Sequence, residues 1–308
     1  MKNIYEVQTA NKWKSAVIVA LFIVFVFFAA YILTNAIGIY LGYEPGGLGF
    51  VGMALVISGV SSFVGYYYSD KIVLGISGAR PANRKEDFLF YTVAENVAIG
   101  AGVPMPKLYV IDDPAPNAFA TGRDPKHAAI CATTGLLDKL DRTELEGVIG
   151  HEMTHVKSYD TRLMAVVAVM VGLVALLGDW FIRLTWFGGR RSNDRDSAGS
   201  IFLIIGIIFA ILSPIVGTLI QLAISRRREF AADAGSVEIT RQPDGLISAL
   251  KKISADPNVL HTANKATADL YINNPFKQKG HGSVGWFSNL FNTHPPIPAR
   301  IKAIEGMM

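Results

Sequence analysis

Charge is what this chain has little of. Acidic and basic side chains make up 18% of its 308 residues, against about 25% in an average soluble domain. Apolar side chains fill the difference, at 51% of the sequence, and they are gathered into runs long enough to cross a bilayer. The net charge is only +4 and is dispersed. Without a basic stripe interleaved with aromatics, no nucleic-acid partner is indicated. Cysteine is limited to Cys131, which rules out an intrachain disulfide and a cysteine-held metal. Within HAAICATTGLL, Cys131 reads as a small strand residue; a single cysteine also fits a reducing compartment. Histidine is scarce, with six in the chain, and there is no internal repeat.

Four apolar segments are present, near Ser15 to Ile37, Leu48 to Tyr67, Leu163 to Trp186 and Ile201 to Ile224. Each approaches the ~20 residues that span a hydrocarbon core. The first is longer than the ~7–15-residue core of a signal peptide and ends in no small-x-small cleavage site, so it reads as a retained anchor. Lys2, Lys12 and Lys14 precede it, no Lys or Arg separates the first two segments, and Lys71, Arg80, Arg84 and Lys85 follow the second. By the positive-inside rule the N-terminus and the chain after residue 70 face the cytoplasm, and Arg226 to Arg228 place the C-terminal part there as well. Arg190, Arg191 and Arg195 sit awkwardly in the expected external link, and Asp179 weakens the third segment as a lipid-facing helix.

This layout divides the chain into a membrane hairpin (1–70), a first soluble half (71–160), a second hairpin (161–225) and a second soluble half (226–308). In the first half the sequence predicts a helix from Glu86 to Ala101 and a strand over 107–111. Pro114 and Pro116 mark a loop; a second strand follows from His127 to Thr134, then a helical turn from Leu136 to Leu140. A helix starts after Asp141. Residues 273–296 read as a mobile loop, rich in Gly, Asn and Pro.

The chemistry concentrates in His151-Glu152-Met153-Thr154-His155. Histidines four apart share one helix face, and both can reach one zinc ion at ~2.0–2.1 Å. Glu152 is rotated by about 100° from His151, so it flanks the metal and can take a proton from an attacking water as general base. A catalytic zinc usually takes a third protein ligand and keeps one open position. No third histidine follows closely, but SRRREFAADAGSVEI (225–239) fits a helix that puts Glu229 and Asp233 on one face. One of the two can ligate while the other orients a ligand imidazole.

HEMTH followed by REFAADA, with PNAFATG (116–122), TTGLL (133–137) and THPPIPARI (293–301) in the same order, resembles the HtpX family of membrane zinc peptidases, relatives of the type I CAAX prenyl protease. The resemblance covers nearly the whole chain, including the four-span layout. It implies one zinc per chain, Glu229 as third ligand and Asp233 as partner of a ligand histidine. It also implies that the region of Asn117 holds the substrate backbone. Asn117 comes just before the strand 128–134, taken as an edge strand that pairs with an extended peptide, which makes Ala129 and Cys131 substrate-binding positions. His294 and Arg300 resemble family positions near the zinc, where a donor or cation stabilises the oxyanion. His127, His261 and His281 have no partnering pattern.

The expected fold is a mainly α membrane protein: four transmembrane helices plus a zincin-like α+β catalytic domain with a small sheet. The expected function is a zinc endopeptidase of the bacterial-type cytoplasmic membrane, multi-pass, with its catalytic domain facing the cytoplasm. Its expected substrates are misfolded or damaged membrane proteins and unfolded polypeptide. Two rivals are a non-catalytic membrane scaffold with a structural zinc, which requires four protein ligands, and a prenyl-CAAX protease, whose type has more spans. The third apolar segment begins so soon after His155 that the HEMTH helix is expected to run almost directly into the bilayer.

Overall fold

The structure, a computed structural model, describes residues 4–40, 48–169, 226–260, 270–272 and 295–308. Helix α1 runs from Ile4 to Tyr40, starting well before its apolar stretch, and packs against α2 (Leu48–Tyr67). Asn11, Ser15, Ile18, Phe22, Val26 and Ala30 form its buried stripe, while Val17, Leu21, Val24 and Phe28 point outward. The outer face of α1 is thus apolar and open. Within α1, Glu6–Phe28 is long and apolar enough to cross a membrane. Val51–Tyr67 of α2 passes the same test only together with α3 (Ser69–Ile76), at a bend of 73°. Most of the expected third segment, and all of the fourth, lie outside the described residues, as do Asp179 and the arginines of the link between them. The expected loop 273–296 also lies outside them, apart from residues 295–296.

The sheet is mixed and four-stranded, in the order β1-β2-β4-β3: β1 (Arg80–Pro81), β2 (Lys107–Ile111), β3 (Ala118–Gly122) and β4 (Ala128–Thr133). β2 and β4 are parallel, and the two outer pairings are antiparallel. Side chains alternate between faces. Leu108, Val110, Ala118, Ala120, Ile130 and Ala132 enter one core, and Phe119, Ala129 and Cys131 enter another. This corrects the expected substrate edge. β4 is an inner strand: Ala129 pairs with Lys107 and Thr121, and Cys131 with Tyr109 and Phe119. Their main-chain groups are therefore committed on both sides. The outer strands are β1 and, beside β4, β3, which lies in a segment read as loop because residues buried on both faces leave no polar-apolar alternation.

Helix α4 (Phe88–Ala101) ends at Gly102 in the left-handed conformation, and α5 (Thr134–Lys139) is capped by Thr133. Helix α6 (Arg142–Lys157) starts with a capping box, Asp141 accepting from the Glu144 N–H and Glu144 from the Asp141 N–H. It ends at Ser158, and Tyr159, at φ 62°, turns the chain into a separate helix, α7, over 160–169. The HEMTH helix is thus broken before the third apolar segment rather than continuous with it. Helices α8 (Arg226–Thr240), α9 (Pro243–Ala255) and α10 (Ile297–Glu305) complete the described chain.

α6 packs closely on α8 and α9 because small residues line the crossings. Ser236 Oγ donates to the Gly147 carbonyl at 2.6 Å. A Cβ on Gly147 would lie 2.8 Å from the Leu246 backbone, whereas one on Gly100 of α4 would meet only ordinary contacts of 3.4 Å or more. A helical Gly→Ala change gains roughly 0.5–1 kcal/mol, but overpacking costs about 1–3 kcal/mol. Gly147→Ala should therefore lower the thermal unfolding midpoint of the detergent-solubilised chain, and Gly100→Ala should hold or raise it.

Candidate metal centre

Helical spacing places His151 and His155 one turn apart on α6, and the close crossing with α8 brings Glu229 beside them. The two Nε2 atoms face each other at 3.2 Å, with Glu229 Oε1 3.5 Å from His155 Nε2 and Oε2 3.7 Å from His151 Nε2. Each Nδ1 faces a carboxylate: His151 Nδ1 is 2.9 Å from Asp233 Oδ1, and His155 Nδ1 is 3.2 Å from Asp160 Oδ2. Those acceptors assign the Nδ1 atoms the protons and leave lone pairs on both Nε2 atoms. Two imidazole lone pairs and a carboxylate therefore converge on one point.

That arrangement fits a metal ion. Tetrahedral ligands at ~2.0–2.1 Å from a zinc are about 3.3–3.4 Å apart, close to the three separations found. All three ligands are buried. Charge points the same way. With Glu152 ionised, the carboxylates of Glu152, Asp160, Glu229 and Asp233 face two guanidiniums, those of Arg228 and Arg300, which leaves a formal charge of −2 to be met by the imidazoles or a cation between them. Burial works against the charged form of His155. The Asp160 hydrogen bond and the field of Glu229, Asp160 and Glu152 outweigh it and push its pKa up to about 9. The pocket thus favours positive charge at the point where the Nε2 atoms meet. His151, pressed by burial and by Arg300, is held down at about 4.

Glu152 is buried beside this cluster but outside the converging trio. Burial, helped by the Glu229 carboxylate, pushes its pKa up to about 7, and the Ala120 N–H of β3 donates to it. The outer strand and the HEMTH helix thus meet at the carboxyl group expected to act as base.

Arg300 on α10 is fully buried. Its Nε and Nη2 donate to Asp233 at 2.9 and 2.6 Å, Nη1 donates to the Ile272 carbonyl at 3.1 Å, and Nη1 lies 3.9 Å from Glu229. Its guanidinium is a clamp on the His151 partner. Asn117 precedes β3 rather than β4, with its N–H donated to Thr133 Oγ1 and its own Oδ1 accepting from Ala118 N–H. Buried Cys131, whose thiol burial pushes up, faces the core on the far side of the sheet from α6. His127 is exposed and paired with Asp124. His294, His261 and His281 lie outside the described residues.

Sequence reasoning missed Asp160 and Arg228. Asp160 lies five residues after His155, beyond a helix break, where helical spacing gives no guide. Burial alone would raise its pKa, but His155, Arg228 and Ser158 together hold it below the ordinary carboxylate value.

Residues 89–308 match peptidase family M48. The chain is 43% identical to "Protease HtpX homolog" of Caldanaerobacter subterraneus subsp. tengcongensis, over 99% of this chain and 98% of that relative. It is 44% identical to the protein of that name from Dictyoglomus thermophilum, over 98% and 94%. It is 41% identical to the one from Streptococcus uberis, over 99% and 100%. Among solved structures, it resembles the crystal structure of S. mikatae Ste24p at a TM-score of 0.50 and 15% identity, covering 97% of this chain and 67% of that one. That likeness concerns the fold.

Removing one partner of a buried ion pair costs roughly 3–5 kcal/mol, because the other charge is left uncompensated. Arg300→Met should therefore destabilise the folded chain by about that amount in denaturant unfolding. Arg300→Lys should rescue it only in part, since an ammonium cannot reproduce the two-pronged contact with Asp233.

Proposed function

The chain belongs to peptidase family M48, and on that premise, which makes it a metallopeptidase, we propose that it is a membrane-embedded zinc endopeptidase. The convergence of His151, His155 and Glu229 beside Glu152 carries the reading. Two imidazoles and one carboxylate form a zinc set with an open position, the pattern of catalytic sites. Zinc held there supplies Lewis acidity, polarising the scissile carbonyl and making water acidic enough to attack at neutral pH.

The chain's own residues do the rest. Glu152, buried beside the trio, takes the proton of the attacking water and delivers it to the leaving amine. Asp233 and Asp160 hold the two imidazoles in the tautomer that leaves Nε2 as donor to the metal. Arg300 fixes Asp233 and lends positive charge to the site; an oxyanion role for it, or for His294, is part of this reading. The outer strand β3 is the element next to Glu152, so an extended substrate is proposed to align there, with Asn117 at the strand's start.

We place residues 71–160 and 226–308 in one catalytic unit, supported by the packing of α6 on α8 and α9. Residues 1–70 and 161–225 are proposed as two membrane hairpins, with the catalytic unit on the cytoplasmic side of the bacterial-type inner membrane. The apolar outer faces of α1 and α2 and the lysines and arginines that follow α2 support this. A site built so close to membrane helices suits cytoplasmic segments of misfolded or damaged membrane proteins as substrates.

Proton transfer by a positioned carboxylate contributes about 10²–10⁴-fold to rate. Glu152→Gln should retain zinc, measured by metal analysis, and lose casein cleavage by that factor; unchanged cleavage would sink the peptidase mechanism. Glu229→Ala should weaken zinc binding, and a chelator should abolish cleavage by the wild-type chain until zinc is restored.

A further inference from the structure

The side chains that fix the metal ligands do not end with the catalytic helices. α1 carries two polar residues in its buried stripe, Asn11 and Ser15, above Ile18 and Phe22. Ser15 Oγ donates to the Asn11 carbonyl of its own helix at 2.8 Å, and of the two Asn11 alone reaches across to another helix. Its Nδ2 donates to Asp160 Oδ1 at 2.8 Å and to the Ser158 carbonyl at 2.9 Å. An amide nitrogen has two hydrogens, so both are used. Asp160 is the carboxylate on His155 Nδ1. It also accepts from Ser158 Oγ at 2.8 Å and from Arg228 Nη1 at 3.2 Å, and Arg228 is the neighbour of Glu229. One carboxylate thus ties the end of α6, the start of α8 and the near end of α1 into a single network.

A buried amide is costly unless its hydrogens are taken, and an apolar residue would serve better if α1 were only an anchor. Below Ser15 the same stripe is apolar, with Ile18, Phe22 and Val26 packed on Leu163, Val166 and Val167 of α7. The polar position therefore coincides with the level of Asp160. We propose that Asn11 is a positioning residue of the metal centre. It holds Asp160 so that Oδ2 stays on His155 Nδ1, and α1 becomes a working part of the site as well as a membrane segment. Gln8, one turn earlier, shows the alternative, a purely structural contact. Its Nε2 donates to the Lys157 carbonyl at 2.9 Å and caps α6 without touching Asp160 in any contact seen.

The proposal rests on the assignment of His151, His155 and Glu229 to zinc. It is tested by chelator competition for Zn²⁺ on the full-length chain in detergent, with wild type, Asn11→Ala, Asp160→Asn, the double variant, Gln8→Ala and Glu229→Ala compared. Loss of an outer partner of a metal ligand typically costs 10–100-fold in affinity. Asp160→Asn is expected to weaken zinc binding by about that factor, Asn11→Ala, one contact further out, by a smaller factor that still exceeds about threefold, and Gln8→Ala to stay within about twofold. The Asn11 effect should vanish in the Asp160→Asn background, the signature of one residue acting through the other. If Asn11→Ala does not give folded protein, the same cycle is run with Asn11→Ser, whose single short hydroxyl cannot make both contacts. Wild-type affinity in the Asn11 variant, multiplicative effects with Asp160→Asn, or an equal loss in Gln8→Ala would each overturn the proposal. Should Glu229→Ala bind zinc as wild type does, the ligand assignment itself fails and the proposal falls with it. Should only the Asn11 arm fail, the assignment stands.

Discussion

Two imidazole nitrogens point at each other across 3.2 Å with a carboxylate beside them. Two lone pairs held that close repel unless a cation lies between them, so the surrounding structure must both enforce the contact and tolerate its cost. It does so with buried carboxylates on the far side of each ring. Asp233 and Asp160 fix the tautomers, and Arg300 and Arg228 keep those carboxylates ionised in a setting that would otherwise neutralise them.

This constraint reaches into the backbone. Glu229 stands beside the imidazoles because α8 lies close against α6, and that closeness depends on Gly150, Gly235 and Ser236 at the crossing, while Gly147 admits α9. The capping box at Asp141 fixes where α6 begins, and the turn at Tyr159 fixes where it ends and so where Asp160 falls. The small sheet delivers the Ala120 N–H to Glu152 from the other side. Helix ends, crossings and a strand edge converge on a few side chains, and the site keeps its shape only while each stays in place.

The ligand pair and the helix carrying Glu229 were legible in the sequence because helical spacing is local: residues four apart meet whatever the rest of the chain does. The strand at 107–111, the helix at 86–101 and the second apolar segment were readable for the same reason. What failed was non-local. The order of strands in a sheet is not written in any one strand, so β4 passed for an edge although β2 and β3 flank it. β3 itself, AFATG, lacks the alternation that marks a strand because both of its faces are buried. Asp160 and Asn11 were invisible because one follows a left-handed break and the other reaches the site from a helix almost 150 residues away in sequence. Polar residues at the start of an apolar helix look like flanks until the partner is seen.

The central claim is that zinc is held by two histidines and one glutamate with a position left open. X-ray absorption at the zinc edge of the full-length chain measures that shell directly. The account predicts one zinc per chain, with two imidazoles and lighter oxygen donors at about 2.0–2.1 Å. A shell of three or more imidazoles, or a chain that takes up no zinc, would contradict it.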